Sequence, residues 1–124
     1  MIRRYTSTSI DTTLATTISA GATTMTVAAG TGAQLMGGIT LTAGDVFTVA
    51  LDPDTTSEEI VYITARSSDV FDITRGIAGT TAVTHAQGAT VRHVLTSADL
   101  DWFNNMIQSS SAIGSTPTID GGTP

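Results

Sequence analysis

The order of apolar and polar positions along the chain predicts a series of short strands followed by one helix. The segments "TTLATTIS" and "TTMTVAA" flank the turn "SAGA" and suggest a hairpin. "GTGAQLMGG" holds four glycines in nine residues with no stable period and reads as a loop that could cover an edge. "DVFTVALD", Asp45 to Asp52, is an almost unbroken apolar run; a helix can show one too, but its length and its Val and Phe content favour a strand buried on both faces. In "EEIVYITAR", Val61, Ile63 and Ala65 point one way and Ile60, Tyr62 and Thr64 the other. In "VFDITR", Phe71 and Ile73 alternate with Asp72 and Thr74, so these two strands should pair as a meander. "ATVRHVL" reads as the last strand, with Val91, His93 and Leu95 on one face.

The helix begins after Thr96, whose hydroxyl can accept a bond from the backbone near Asp99, while the Asp99 carboxylate suits the first turn. Leu100, Phe103, Met106 and Ile107 recur at helical spacing, and Trp102 widens the stripe. The resulting division is an N-terminal arm at 1–12, a β domain at 13–95, a helix at 96–111 and an extended C-terminal arm at 112–124, read as lying on a neighbouring molecule. The expected fold is mainly β: a small antiparallel β-sandwich or barrel with one C-terminal helix and extended terminal arms.

At 124 residues the chain suits one domain. It has no cysteine, so disulfides and thiolate metal sites are excluded. The formal charge is −6 and the cations are all arginine, Arg3, Arg4, Arg66, Arg75 and Arg92, with no cluster beyond the terminal pair; nucleic acid is not an expected partner. Charged residues make up only 13%, and the stretch from Thr12 to Gly44 has none, which suggests that much of the surface meets protein rather than water. Gly and Thr interrupt that stretch too often for a membrane span, and "MIRRYTSTSIDTT" has no apolar segment behind its arginines, so neither a membrane nor a secretory signal is expected.

"TRGIAGTTAVTHAQGATV", Thr74 to Val91, has the residue types of an active-site loop. A phosphate-binding loop would need a Lys after its last Gly and a long helix behind it, and both are missing. Ser, Thr, His85, His93 and the Asp residues have no spacing that joins them into a nucleophilic triad. Glu58 and Glu59 are neighbours that would face opposite sides of a strand. The acidic turn Asp52, Asp54, Thr56, Glu58 lacks the Gly and final Glu of a calcium loop, with Ile63 in the twelfth place. Neither catalytic residues, nor a metal, nor a cofactor is therefore expected. The structural reading accounts for more: Arg75 ends a strand, Gly76 and Gly79 permit angles that a Cβ opposes, Thr80, Thr81 and His85 bond to loop backbone, and Gly88 turns the chain into the next strand. His85 is then a buried or half-buried brace.

"EEIVYITA", "FDITRGIAGTTAVTHAQGATVRHV" and the earlier "ISAGATTMTVAAGTG" together resemble a pattern found in small virion structural proteins of tailed bacteriophages. The pattern falls on Arg75, Gly76, Gly79, Thr80, Ala82, His85, Gly88, Ala89 and Val91. The resemblance implies a non-enzymatic virion protein, either a head decoration or cement subunit on the capsid exterior or, alternatively, a minor tail or neck protein such as the attachment base of a fibre. It implies other virion proteins as partners, the major capsid protein or tail proteins, and a homo-oligomer with a trimer as working symmetry. Arg3, Arg4, Tyr5, Trp102, Phe103, Ile113 and Ile119 are the expected partner-binding residues, since Trp, Tyr and Arg are enriched at binding hot spots; a core role for Trp102 remains equally open.

Overall fold

The computed structural model describes residues 1–114, with side chains to residue 108. The strands are β1 (Ile2–Arg4), β2 (Thr12–Thr13), β3 (Thr24–Thr26), β4 (Asp45–Leu51), β5 (Glu59–Ser67), β6 (Val70–Ile77) and β7 (Thr90–His93), with helices α1 (Gly32–Met36) and α2 (Ser97–Gly114). One sheet runs in the order β2-β7-β4-β5-β6-β3 and β1 joins it on β4. Its two outer strands curl towards each other until Leu14 bridges Val27, with the Ala15 N–H donating to Thr26 O at 2.8 Å and the Ala28 N–H to Thr13 O at 2.9 Å. The mainly β fold with a C-terminal helix agrees with expectation, as a curled barrel rather than a sandwich.

The core lies inside this curl. Leu14, Met25, Val27, Phe47, Val49, Leu51, Val61, Ile63, Phe71 and Val91 are all sealed from solvent. Burying Phe47 or Phe71 contributes about 2–3 kcal/mol each. All seven residues of β4 are buried because its other face is covered too: Thr48 points outward and donates to Asp99 Oδ1 at 3.1 Å at the start of α2. The β5–β6 meander forms as expected around Ser68, which takes φ 57°. Phe71 and Ile73 face inward between exposed Asp72 and Thr74. Ala65, expected beside Val61 and Ile63, is exposed because the register shifts between Ile63 and Ala65.

Three expectations are corrected. The N-terminal arm at 1–12 is part of the sheet: β1 runs parallel to β4, pairing Ile2 with Asp45 and Arg4 with Phe47, and Thr12–Thr13 pair with β7. Backbone groups of β4 left open beyond the end of β7 draw the segment in, because buried N–H and C=O groups must be paired. β2 and β3 are not a simple hairpin either, since each takes its ladder from a distant strand and they meet at one bridge. The glycine-rich loop contains α1, closed by Gly37 at φ 57°, and the Asp69 carboxylate accepts from the Gly30 and Gly32 N–H groups ahead of it. A Cβ on Gly32 would stand 2.3 Å from Ser68 O, so only glycine fits there.

α2 starts as predicted. The Thr96 N–H and hydroxyl both donate to Asp99 Oδ2, at 3.0 and 2.9 Å, and the Asp99 N–H returns a bond to the Thr96 oxygen at 3.3 Å. It runs to Gly114 rather than 111, because Ser109 to Ile113 contain no breaker. Residues 112–114 of the expected C-terminal arm are thus helical, and 115–124 lie outside the described residues.

Candidate functional site

The inward parity of two strands places the site. Stepping back by two from Ile63 and Val61 leads to Glu59; stepping forward by two from Phe71 and Ile73 leads to Arg75. The two charges therefore meet inside the barrel, where β4 ends and β5 begins. Glu59 is fully buried and takes Arg75 as a fork, Nε to Oε2 at 2.8 Å and Nη2 to Oε1 at 2.9 Å. The Gly76 and Val83 N–H groups and His85 Nε2 also bond the same carboxylate, at 2.9, 3.2 and 2.8 Å.

Arg75 has a partner for each of its five N–H donors: besides the two bonds to Glu59, Nη1 reaches Ser19 O and Ala22 O at 2.7 and 3.0 Å, and Nη2 reaches Val83 O at 2.6 Å. One guanidinium thus ties β6 to the β2–β3 connection and to the loop before β7. His85 is also fully buried, as a brace should be. Its Nδ1 lies 2.7 Å from Asp52 Oδ2, and its backbone exchanges both bonds with Ile18. Each ring nitrogen faces a carboxylate oxygen, so the ring makes both bonds as a donor only when both nitrogens carry a proton.

Burial pushes the Glu59 carboxyl up, but the bonds from Arg75, His85, Gly76 and Val83 outweigh it and hold it at about 2. Thr80 continues the bracing, accepting from the Ile60 N–H at 2.9 Å and donating to Ile77 O at 2.7 Å. Gly76 holds φ 61° with a would-be Cβ 3.3 Å from Thr80 O, Gly79 holds φ 82°, and Gly88, at φ 90°, donates to Leu14 O at 2.9 Å. Of the six loop residues, Arg75, Gly76 and His85 bond Glu59 directly and Thr80 bonds the neighbouring backbone of Ile60 and Ile77, while Gly79 and Gly88 serve as turn positions of the same loop. Among the described residues no group of three or more His, Asp or Glu side chains is arranged to hold a metal ion.

Of the expected partner-binding residues, the structure brings Tyr5 and Phe103 together on the wall of one cavity. Arg3, expected to bind a partner from the N-terminal arm, is buried: its Nη1 donates to Asp99 Oδ1 at 2.8 Å and its guanidinium lies 5.1 Å from the centre of the Tyr62 ring. That assignment is corrected, since its charge is matched within the chain. Arg4 bonds Asp45 Oδ2 at 3.1 Å and Thr40 O at 3.2 Å. Tyr5 is half-buried with its hydroxyl unpartnered, Trp102 is half-buried, and Phe103 is 52% exposed. The side chain of Ile113 and the whole of Ile119 lie outside the described residues.

A cavity of about 490 Å³ opens where β1, β7 and α2 converge, lined by Tyr5, Thr6, His93, Leu95, Leu100 and Phe103 among others. His93 stacks on Phe47 at 4.0 Å, Nδ1 donates to Thr48 O at 2.8 Å, and burial lowers its pKa, so its ring is a neutral wall. Glu59 and Asp52 are the network residues that sequence reasoning did not join to Arg75 and His85; the parity of β5 was the available signal for Glu59, and nothing local tied Asp52 to His85. A comparison with known proteins finds no family model and no curated protein that matches the chain.

Proposed function

We propose that this chain is a non-enzymatic structural protein of a tailed-bacteriophage virion, a head decoration or cement subunit on the capsid exterior. The observation that carries the reading is the use made of the residues that resemble the virion pattern. Arg75 and His85 carry the reactive-looking groups of the stretch; His85 is fully buried and the Arg75 side chain is 9% exposed, and the nitrogens of both are taken up by bonds within the chain. A catalytic loop keeps such groups at an open face, within reach of a substrate. Here they hold a small barrel shut, which suits a subunit valued for shape and for docking in many copies. The low charge content and the exposed apolar face of α2 support the same reading.

Quantitative mass spectrometry of purified particles of the encoding phage tests it. Peptides of this chain should be present in a ratio to the major capsid protein that corresponds to hundreds of copies. A handful of copies would assign it to the tail or neck instead, and absence from the particle would refute a virion role.

A further inference from the structure

We infer that His85 is a proton-operated latch on the β4–β5 turn: doubly protonated, its ring ties Asp52 to Glu59, and loss of one proton as the pH rises releases residues 52–58. Geometry carries the charge state. Nε2 lies 2.8 Å from Glu59 Oε1 and Nδ1 lies 2.7 Å from Asp52 Oδ2, with the ring sealed from solvent. An ionised carboxylate can only accept, so a neutral ring would set a lone pair against one of those oxygens where little water screens it. Glu59, held at about 2, is ionised, which fixes a proton on Nε2. The close approach of Nδ1 to Asp52 needs a second proton between them, and it sits on the nitrogen because imidazole is a stronger base than a carboxylate.

The charges around the ring agree. Asp52 at the end of β4 and Glu59 on β5 face it directly, and Arg75 on β6 is joined to it through Glu59. The β2–β3 connection meets it at Ile18 and has no charged residue between positions 14 and 23. On β7, Arg92 bonds exposed Asp11 and lies 3.5 Å from exposed Asp54. Two carboxylates thus stand against one guanidinium, and the imidazolium makes the balance even.

The two ends of the bridge are unequal. Glu59 is fully buried and also accepts from Arg75, Gly76 and Val83, whereas the Asp52 side chain is 26% exposed. The Nδ1 proton is therefore the one that leaves, past Asp52 to water, and the ring stays on Glu59 as the neutral Nε2–H form. Bare Nδ1 then faces a carboxylate that can turn out into solvent, so the contact opens. Among the described residues the turn has two other ties to the barrel, the Asp52 N–H to Thr90 O at 3.0 Å and the exposed Arg92–Asp54 pair. Its remaining bonds are internal: the Thr55 hydroxyl donates to Asp52 O, and the Glu58 N–H donates to Thr55 O. Asp52 and Asp54 hold φ 52° and 64°, a region unfavourable to side chains, so the freed turn relaxes. Asp52 then joins Asp54 and Glu58 as a third carboxylate in solvent.

The inference stands apart from the virion reading, because the full chain alone in solution tests it. Nuclear magnetic resonance of isotope-labelled protein reports the protons on each imidazole, with His93, neutral and donating from Nδ1 to Thr48 O, as the internal reference. At about pH 6, His85 should carry a proton on both nitrogens. Towards about pH 9 it should change to the Nε2–H form, and the amide signals of residues 52–58 should shift with the same midpoint while those of Ile63 and Ile73 hold still. Asp52→Asn keeps the tolerance for left-handed backbone and removes the charge, so both transitions should move together to lower pH by about one unit or more. A single proton on His85 at the lower pH, no step by the higher one, unfolding of the whole barrel at that midpoint, or an unmoved transition in Asp52→Asn overturns the inference.

Discussion

Replacing Glu59 with Gln changes one atom and removes one charge from the polar end of the barrel. The carboxylate accepts from Arg75 and Gly76 through Oε2 and from Arg75, Val83 and His85 through Oε1. A carboxamide can serve one of those two sets with its oxygen but presents its NH₂ to donors on the other side, and it leaves Arg75 buried without its counter-charge. Removing one partner of a buried ion pair costs about 3–5 kcal/mol. For a domain of this size, at about 4 °C per kcal/mol, the melting temperature should fall by about 12–20 °C at pH 7. The same side chain sets an acid limb. Glu59 is held at about 2 in the folded chain against 4.5 ordinarily, so its contribution is complete above pH 4.5 and is lost as the pH falls towards 2. That contribution is about 3 kcal/mol. Urea unfolding of the wild type between pH 6 and pH 2 should show this loss, and Glu59→Gln should lack that part of it. A variant within about 0.5 kcal/mol of wild type, or one with an unchanged acid slope, would refute the network as the source of stability.

Further substitutions separate the remaining parts. His85→Leu leaves Asp52 and Glu59 without the imidazole that joins them and should lower the urea midpoint by the equivalent of about 2–4 kcal/mol; a shift under half that would show His85 to be a filler. Asp99→Asn removes the counter-charge of buried Arg3 and weakens the reciprocal cap with Thr96. It should cost about 3 kcal/mol and reduce the helical signal in circular dichroism, and retention of full helicity would speak against that anchor. Gly76→Ala, at φ 61° with Thr80 O 3.3 Å from the new Cβ, should destabilise more than Gly88→Ala, whose Cβ meets open space. The expected costs are about 2 and about 1 kcal/mol, read from thermal melts, and the reverse order would contradict the geometry.

Elements set by local pattern were legible in the sequence. The continuous apolar run of β4, the alternation of β6 and the Thr96–Asp99 cap each depend on residues within one segment. What was hidden depends on partners far along the chain. β1 has no period of its own and becomes a strand because β4 offers it an edge more than forty residues later. β2 and β3 carry strand-like residues, but sequence proximity suggested the wrong partners for them. That His85 is buried accords with the burial expected of it. Its partners were not readable, because an inward-facing Glu59 violates the rule that buried faces are apolar, and bonds from Arg75 on the adjoining strand, with Gly76, Val83 and His85 itself, make that position tolerable. Arg3 was misplaced for the same reason, since its counter-charge is Asp99, at the opposite end of the chain.

The seam of the barrel has a consequence for how the chain is made. Thr12 pairs with Val91, and Val91 in turn pairs with Leu51, so β2 and the last strand, β7, are joined through residues nearly eighty positions apart. Contacts of such long range must bear their loop-closure entropy before they return any stability, which slows folding. On the ribosome, no stretch released before His93 can close the curl; the nascent β4–β5–β6 meander waits with an open edge until the final strand emerges, and the molecule then acquires its shape in one late step.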